Sequence, residues 1–332
     1  MLEHGGNRTA AARRYGIAAT DWLDLSTGIS PWSWLDPQAP PPSRESWTRL
    51  PEEEDGLHAA ARTCYGAPAL PVAGSQAALQ ALPLLRAPGR VGLFHPSYAE
   101  HAERWRGAGH TLVTLPSGLQ HPPLESLDVM VVVNPNNPDG RRYARHTLLA
   151  WHERLQARGG WLVVDEAFVD AEPELSLADC STRPGLVVLR SLGKFFGLAG
   201  ARVGFVLCEA RLQTHLREHL GPWALAGPSR EIACRALQDR LWQRDQRRRL
   251  HAASQLLRAL LQRAGLQPDG ACALFQWVRS ERAEQLQEAL AAQGILVRRY
   301  RDPAGLRFGL PGPEADWQRL EAGLASVQVH CR

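Results

Sequence analysis

The chain contains a single lysine, Lys194, among its 38 basic residues. A composition bias can remove lysine from a protein surface, because arginine supplies positive charge there about equally well. Arginine cannot replace a lysine whose amine attacks an aldehyde, since the guanidinium stays protonated at any working pH. Lys194 is therefore either a surface residue that the bias has spared or an amine that forms an imine with a carbonyl compound. Its neighbours in the sequence favour the second interpretation.

Further polar residues follow short apolar runs that have the composition of buried strands. They are Tyr98 after 91–94, the Asn-Pro-Asn-Asn-Pro-Asp-Gly stretch 134–140 after 129–133, Asp165 after 161–164, and Ser191 with Lys194 after 186–189. A fifth group, Gly74-Ser75-Gln76, opens a helical pattern, and free N–H groups at a helix start favour a phosphate. Each group alone is also explained as a cap or a turn. Because ligands collect at the carboxyl ends of strands in α/β sheets, five such groups together predict a ligand site.

The elements that must position these residues alternate along the first two thirds of the chain. Strand-like runs at 91–94, 111–115, 129–133, 161–164, 186–189 and 203–207 are separated by helical patterns such as 75–86, 98–107 and 144–158. This alternation predicts a mostly parallel α/β sheet. From about 209 a long helical stretch to about 264, bent near 221–222 and 227–228, is followed by short strands and two helices. That part predicts an α+β unit with its own sheet.

Composition and charge exclude several classes of function. The net charge is +4, and the basic stretch 240–249 is predicted to be a solvated helix face rather than a nucleic-acid site. No apolar run approaches the ~20 residues that span a membrane, and the start Met1–Gly6 lacks the pattern of a signal peptide. The cysteines form no CxxC pair. We therefore expect a cytoplasmic protein with no metal, nucleic-acid or membrane partner.

The ordered set of motifs resembles the fold type I pyridoxal-phosphate (PLP) enzymes, which include the class I/II aminotransferases. The motifs are Asn137-Pro138-Asp139-Gly140, Asp165-Glu166-Ala167-Phe168, Ser191-x-x-Lys194 and Arg202. The resemblance covers nearly the whole chain. It implies a large α/β domain (46–220) with a mostly parallel seven-stranded sheet, a smaller α+β domain (221–332) and an N-terminal segment and arm (1–45). It also implies pyridoxal 5'-phosphate as cofactor and a homodimer.

The same resemblance implies roles for the residues at the strand ends. Lys194 would hold the cofactor covalently and move protons at the substrate Cα. Asp165 would pair with the pyridine nitrogen, Tyr98 would stack on the ring, and Asn137 would bond the ring hydroxyl oxygen. The cofactor phosphate would be held by Gly74, Ser75, Gln76, Ser191 and Arg202.

Substrate-binding residues are implied near both ends of the chain. Arg307 matches the arginine that binds the α-carboxylate, although strand arginines also pair with nearby acids. Arg298 matches a substrate-binding arginine of members that use phosphorylated substrates. The start His4-Gly5-Gly6 would help to hold the substrate phosphate, and Asn137 would contact the substrate as well as the cofactor.

Within the family, His4-Gly5-Gly6-Asn7 and the stretch 191–200 are most similar to the members that decarboxylate L-threonine O-phosphate in cobalamin biosynthesis. The product of that reaction is (R)-1-amino-2-propanol O-phosphate. The alternative is an aminotransferase of the histidinol-phosphate type, which shares the cofactor residues and differs in how the substrate is oriented. A more remote alternative is a non-catalytic PLP-binding scaffold.

Four positions depart from the family pattern. Phe168 stands where many aminotransferases have a tyrosine that bonds the ring hydroxyl, so one hydrogen bond of about 1 kcal/mol is missing. Leu50 stands where relatives place a tyrosine that reaches the partner subunit's cofactor. Gly28 and Ser30 replace asparagines that are common in the N-terminal segment, so the contacts around the substrate are expected to differ.

Overall fold

The computed structural model of the chain describes residues 4–35 and 40–330. These residues form two compact units. The large unit contains the described residues of 33–137 and 142–247, and the small unit contains those of 1–32, 138–141 and 248–332. The segments 1–45, 46–220 and 221–332 divide the chain differently, and that division stays a prediction.

The strands of both units are short, and in chain order they are β1 (Leu23–Asp24), β2 (Leu70–Val72), β3 (Arg90–His95), β4 (Thr111–Pro116), β5 (Val129–Val133), β6 (Trp161–Asp165), β7 (Leu186–Ser191), β8 (Gly204–Leu207), β9 (Gly270–Cys272), β10 (Phe275–Arg279), β11 (Ile295–Leu296), β12 (Arg298–Arg301) and β13 (Ala304–Gly309). The helices are α1 (Arg8–Tyr15), α2 (Arg44–Thr48), α3 (Leu57–Tyr65), α4 (Ser75–Ala81), α5 (Ala99–Gly107), α6 (Arg145–Gln156), α7 (Ala210–Leu220), α8 (Gly227–Gln238), α9 (Arg240–Arg263), α10 (Ala283–Ala291) and α11 (Glu314–His330). Short 3₁₀ turns connect several of these elements.

The large unit is built on a seven-stranded sheet with the order β2-β8-β7-β6-β5-β3-β4. The pairs β3–β4, β3–β5, β5–β6 and β6–β7 are parallel, and β8 pairs antiparallel with both of its neighbours. Every residue of β5 is buried, as are nearly all residues of β6 and β7. Strands with apolar residues on both faces must be covered on both faces, and the helices between these strands provide that cover. The prediction of a mostly parallel seven-stranded α/β sheet is confirmed.

The small unit has two sheets of its own. Four antiparallel strands have the order β12-β13-β10-β9, and β1 pairs in parallel with β11. The run 295–298 is divided at Val297, so that β11 and β12 belong to different sheets. The α+β character expected of the C-terminal part is confirmed.

The helical stretch predicted at 209–264 consists of three helices. Helix α7 ends at Leu220 and is capped by Gly221, whose φ of 75° and ψ of 178° suit glycine and few other residues. Pro228 then lies in the first turn of α8, where its missing N–H costs nothing. The predicted bends at 221–222 and 227–228 are thus full helix ends, and a third break separates α8 from α9 at Asp239.

Candidate active site

Neighbouring parallel strands of the large unit bring the polar residues of the sequence motifs to one edge of the sheet. Val133 at the end of β5 lies opposite Asp165 at the end of β6, and Asp165 lies opposite Leu189 in β7. The backbone N–H of Asn134 donates to the carbonyl oxygen of Asp165 at 2.9 Å. Because these strands are neighbours and end at the same edge of the sheet, the 134–137 loop, Asp165 and the 191–194 turn lie side by side.

A cavity of about 120 Å³ opens at this edge. Its ten lining residues are Gly74, Ser75, Gln76, Tyr98, Ser191, Gly193, Lys194, Ala199, Arg202 and Val203. Two of the ten are cations, Lys194 and Arg202, and none is acidic. Such a lining favours an anion, and three hydroxyls together with the first N–H groups of α4 add hydrogen-bond donors.

Backbone geometry lets α4 and the Arg202 guanidinium approach each other closely. Arg202 has a left-handed φ of 53°, which turns its side chain back toward Gly74. A Cβ at Gly74 would lie 2.8 Å from the Nη2 atom of Arg202. A Cβ at Gly204 would lie 2.4 Å from the backbone nitrogen of Ser75. A side chain at Gly204 would meet the backbone of α4, and a side chain at Gly74 would displace the end of the Arg202 side chain. Glycine at both positions therefore keeps α4 close to the sheet and to the guanidinium.

The carboxylate of Asp165 is buried and held by two donors. The Nε2 atom of His101 lies 2.9 Å from Oδ2, and the backbone N–H of Ala167 donates to Oδ1 at 3.1 Å. The His101 ring also meets the Tyr98 ring edge-on, with 6.1 Å between centroids. Sequence reasoning missed His101. The available signal was its spacing of three residues from Tyr98, since residues three apart at a helix start lie on one face.

A second missed group is a buried ion cluster directly after Asp165. Arg190 of β7 pairs with Glu166 at 3.2 Å and also with Asp170, and all three residues are buried. Burial raises the pKa of Glu166, although Arg190 opposes this. Burial alone would lower the pKa of Arg190, but Asp170 and Glu166 outweigh it and raise that pKa. The cluster ties the end of β6 to the residue before Ser191, and so fixes two strand ends that carry site residues.

The loops around the cavity are held by their own hydrogen bonds. The hydroxyl of Ser97 donates to Asn136 at 2.8 Å, and the Asn136 amide donates to the carbonyl oxygen of Pro96 at 3.0 Å. Asn137 follows in this loop and is nearly buried. The Nζ atom of Lys194 lies 5.5 Å from the centroid of the Phe168 ring. An aromatic ring without a hydroxyl therefore lies beside the lysine.

The two arginines predicted to bind substrate lie on neighbouring strands of the small unit. Arg298 of β12 and Arg307 of β13 are directly opposite each other in the antiparallel register, so their side chains leave the same face. Arg307 is buried, and its Nη2 donates to the carbonyl oxygen of Ser26 at 2.7 Å. Arg299, the residue after Arg298, points to the other face of the sheet and pairs with Glu284.

The N-terminal glycines of the small unit contact the same serine. The backbone N–H of Gly6 donates to the Ser26 hydroxyl at 2.8 Å, and Gly5 packs against Ser26. His4 precedes them and is exposed. The small unit thus gathers Gly5, Gly6 and Arg307 around Ser26.

The fold is that of a known class of protein. The chain belongs to the aminotransferase class I and II family, whose model matches residues 67–322. It is 58% identical, over 98% of its length and 97% of the relative's, to a protein of Pseudomonas aeruginosa named threonine-phosphate decarboxylase. A protein of the same name from a Sinorhizobium species is 41% identical over 99% of both chains.

Solved structures show the same fold. The structure of histidinol-phosphate aminotransferase from Sinorhizobium meliloti in complex with pyridoxal-5'-phosphate matches with a TM-score of 0.80. The match covers 100% of this chain and 96% of that chain, at 20% sequence identity. The resemblance to the fold type I enzymes that the motifs indicated is confirmed.

The residues present fit pyridoxal 5'-phosphate. A cation-lined, acid-free cavity beside Gly74 and Arg202 suits a phosphate ester, and Lys194 supplies the amine that an aldehyde requires. Asp165 supplies a buried carboxylate that suits a protonated ring nitrogen. Among the described residues, no three His, Cys, Asp or Glu side chains are arranged to hold a metal ion. Within the same residues, no helix has the length and apolar character needed to cross a membrane.

Proposed function

We propose that this protein is a PLP-dependent enzyme that decarboxylates L-threonine O-phosphate to (R)-1-amino-2-propanol O-phosphate in cobalamin biosynthesis. The observation that carries the chemistry is the position of the only lysine of the chain beside Arg202 in an anion-favouring cavity. The substrate is taken from the relative that is 58% identical over almost the full length. We further propose that the enzyme works in the cytoplasm.

The large unit would hold the cofactor. Gly74, Ser75, Gln76, Ser191 and Arg202 would bind its phosphate, Tyr98 would cover its ring and Asn137 would bond its ring hydroxyl oxygen. When bound, the cofactor supplies an electron sink for the charge that develops at the substrate Cα.

Two acid–base residues of the large unit would act on the reacting system. Asp165, held by His101, would keep a proton on the ring nitrogen through charge pairing. Lys194 would supply the amine that binds the aldehyde group of the cofactor. Its amine would then deliver a proton to Cα after CO₂ has left.

The small unit would determine which bond at Cα breaks. Arg307 would bind the carboxylate, while Arg298 and the His4-Gly5-Gly6 segment would bind the substrate phosphate. If the carboxylate and the phosphate of the substrate are bound at the same time, the substrate can take only one orientation. That orientation decides whether Cα loses CO₂ or a proton. An aminotransferase with the same cofactor residues would hold its substrate in a different orientation.

A homodimer is part of the proposal. Large apolar side chains of the large unit are exposed near one another in sequence, with Trp47 at 70% and Leu50 at 63% exposure. Pro51 lines two surface hollows, of which one also contains Leu50 and the other Trp223. Exposed apolar residues grouped in this way are typical of a surface that binds a second protein chain.

The first experiment incubates the PLP-loaded protein with L-threonine O-phosphate alone and assays CO₂ and the amine product. We expect both products from the unsubstituted protein, and neither from Lys194→Ala or Lys194→Arg. The arginine variant keeps the positive charge, so its failure would identify the neutral amine as the required group.

Two results would contradict the proposal. Conversion of the cofactor to its pyridoxamine form without CO₂ would support an aminotransferase, and histidinol phosphate would then be the next substrate to test. Absence of the lysine-dependent absorbance near ~420 nm would instead support a non-catalytic scaffold.

A further inference from the structure

Ser26 accepts a hydrogen bond from the backbone N–H of Gly6 through its hydroxyl and one from Arg307 through its carbonyl oxygen. It follows β1 and is almost completely buried. Its two neighbours are the groups that, under the proposed function, bind the substrate phosphate and the substrate carboxylate. No catalytic role is available to Ser26 through these contacts, since its polar atoms are used by the protein itself.

The position of Ser26 is set by the strand before it and by Asp24. Leu25 donates its N–H to Leu296 at 2.8 Å and accepts from the N–H of Gly309 at 2.7 Å, so both edges of the backbone are held. The Oδ1 atom of Asp24 accepts from the Ser26 N–H at 2.9 Å and from the Ser26 hydroxyl at 2.6 Å. One carboxylate oxygen therefore holds the backbone and the side chain of Ser26 together.

The bond to Asp24 determines what the hydroxyl can do next. A serine hydroxyl has one hydrogen to donate, and Asp24 receives it. The oxygen of Ser26 is left as an acceptor, and it accepts from the backbone N–H of Gly6 at 2.8 Å. Because the Ser26 hydroxyl donates to the Asp24 carboxylate, its oxygen is a stronger acceptor for the Gly6 N–H.

The carbonyl oxygen of Ser26 makes the contact with Arg307. It accepts from Nη2 of Arg307 at 2.7 Å, and Gly5 lies against the same group. A Cβ at Gly5 would lie 2.4 Å from the Ser26 carbonyl oxygen and 2.9 Å from its hydroxyl oxygen. Only glycine allows the N-terminal segment to come this close.

We infer that Ser26, oriented by Asp24, is a positioning residue that holds the phosphate-binding segment and the carboxylate-binding Arg307 in a fixed relation. The inference rests on the proposed function, because that function gives the two groups their ligands. It assigns to Asp24 and Ser26 the selection of substrates that carry a phosphate and a carboxylate together.

The test uses the PLP-loaded enzyme and two inhibitors that each carry one of the two groups. (R)-1-Amino-2-propanol O-phosphate has the phosphate without the carboxylate, and L-threonine has the carboxylate without the phosphate. Inhibition constants for both, and KM and kcat for L-threonine O-phosphate, are measured in each variant. Absorbance of the bound cofactor and the midpoint of thermal unfolding show whether each variant is loaded and folded.

Asp24→Ala releases the backbone and the hydroxyl of Ser26, so both inhibition constants should rise about three- to tenfold, as expected for the loss of a hydrogen bond. Ser26→Ala removes the bond to Gly6 and keeps the carbonyl, so only the constant for the phosphate inhibitor should rise. Asp24→Asn keeps an oxygen acceptor and should restore most of the binding. In all three variants KM should change more than kcat.

The matched control is Ser254→Ala, which also removes a buried serine hydroxyl in the small unit. That hydroxyl bonds the Cys272 carbonyl oxygen and the Gln276 amide and contacts neither Gly6 nor Arg307. We expect the control to lower the unfolding midpoint and leave both inhibition constants unchanged.

An effect of Asp24→Ala on neither or only one inhibitor would overturn the inference, as would equal effects in the control. If Asp24→Ala does not fold, Asp24→Asn and Ser26→Ala still test the link to the phosphate side. Failure of the unsubstituted enzyme to release CO₂ would instead overturn the proposed function, and the inference with it.

Discussion

Lys194 and Arg202 supply the positive charge of the cavity, and the residues behind them decide how that charge is used. Arg202 is brought to Gly74 by a left-handed backbone, and Asp165 is held by His101. Neither Gly74 nor His101 reacts with anything in the proposed mechanism. Both set the position or the charge of a residue that does, so their substitution should affect cofactor binding before it affects the fold.

His101→Phe should weaken cofactor retention. The variant leaves one oxygen of the buried Asp165 carboxylate without its partner, at a cost of about 1–3 kcal/mol. Cofactor occupancy after dialysis is measured by absorbance, and the free energy of unfolding by urea denaturation. His152→Phe is the control. His152 is buried, and its ring lies 2.9 Å from the carbonyl oxygen of Pro184. Pro184 precedes β7, whereas the site residues lie at the other end of that strand. Equal loss of cofactor in both variants would show that His101 is only structural.

Gly74→Ala should lower the affinity for pyridoxal 5'-phosphate by about tenfold or more, because the new methyl group displaces the Arg202 guanidinium. Gly221→Ala is a matched control. Gly221 has nearly the same backbone angles, with φ 75° and ψ 178° against 73° and 158° at Gly74, and has no atom within 4 Å of an added Cβ. Both variants should lose stability through backbone strain. Titration of the apo-protein with cofactor would disprove the prediction if the two variants bound it equally well.

At the scale of elements, strand ends and docked helices position these residues. Parallel strands β5, β6 and β7 end at one edge, and the Arg190 cluster joins β6 to β7 just behind the site. In the small unit, α1 follows the N-terminal glycines and packs against α10. Ala11 and Trp22 pack against Ala291 there, and the Tyr15 hydroxyl donates to Glu288 at 2.5 Å.

The docking of α1 should depend on pH at the alkaline end. Burial and the hydrogen bond to Glu288 raise the pKa of Tyr15 from 10.0 to about 12. Because the pKa in the folded state is the higher one, the stabilisation is complete below pH 10 and is lost as the pH rises toward 12. The difference in unfolding free energy between the unsubstituted protein and Tyr15→Phe should therefore be constant below pH 10 and shrink above it. Urea denaturation over this range measures the difference. A difference in unfolding free energy that stays constant up to pH 12 would contradict the raised pKa of Tyr15.

At the scale of the whole molecule, the proposed dimer would cover the exposed side chains of Trp47 and Leu50. We expect sedimentation to give a mass of twice the 36.6 kDa of the chain. Trp47→Glu combined with Leu50→Glu should shift the protein toward monomer, since two charges would be buried without partners. Leu256→Glu is the control, because Leu256 is similarly exposed, at 62%, on the separate helix α9. A monomeric unsubstituted protein would refute the dimer.

Local patterns were enough to predict most of the elements. Near-continuous apolar runs predicted β3 and β5–β8 to within two residues, and helical periodicity predicted α5 and α6. The misses have physical causes. Strand β2 is three residues long and contains Pro71, and Val297 interrupts an apolar run that looks continuous. Short or divided strands are stabilised by their partners, which a local pattern does not contain.

The amino-acid sequence by itself determined which residues carry the chemistry. A lone lysine, an aspartate after an apolar run and an arginine eight residues after the lysine are visible without coordinates. Only the tertiary structure decided what holds them. His101 meets Asp165 across 64 residues of chain, Arg190 meets Glu166 across 24, and Ser26 meets Arg307 across 281. Reactive groups are recognised by type and order, whereas their hydrogen-bond partners are selected when distant strands and loops pack together.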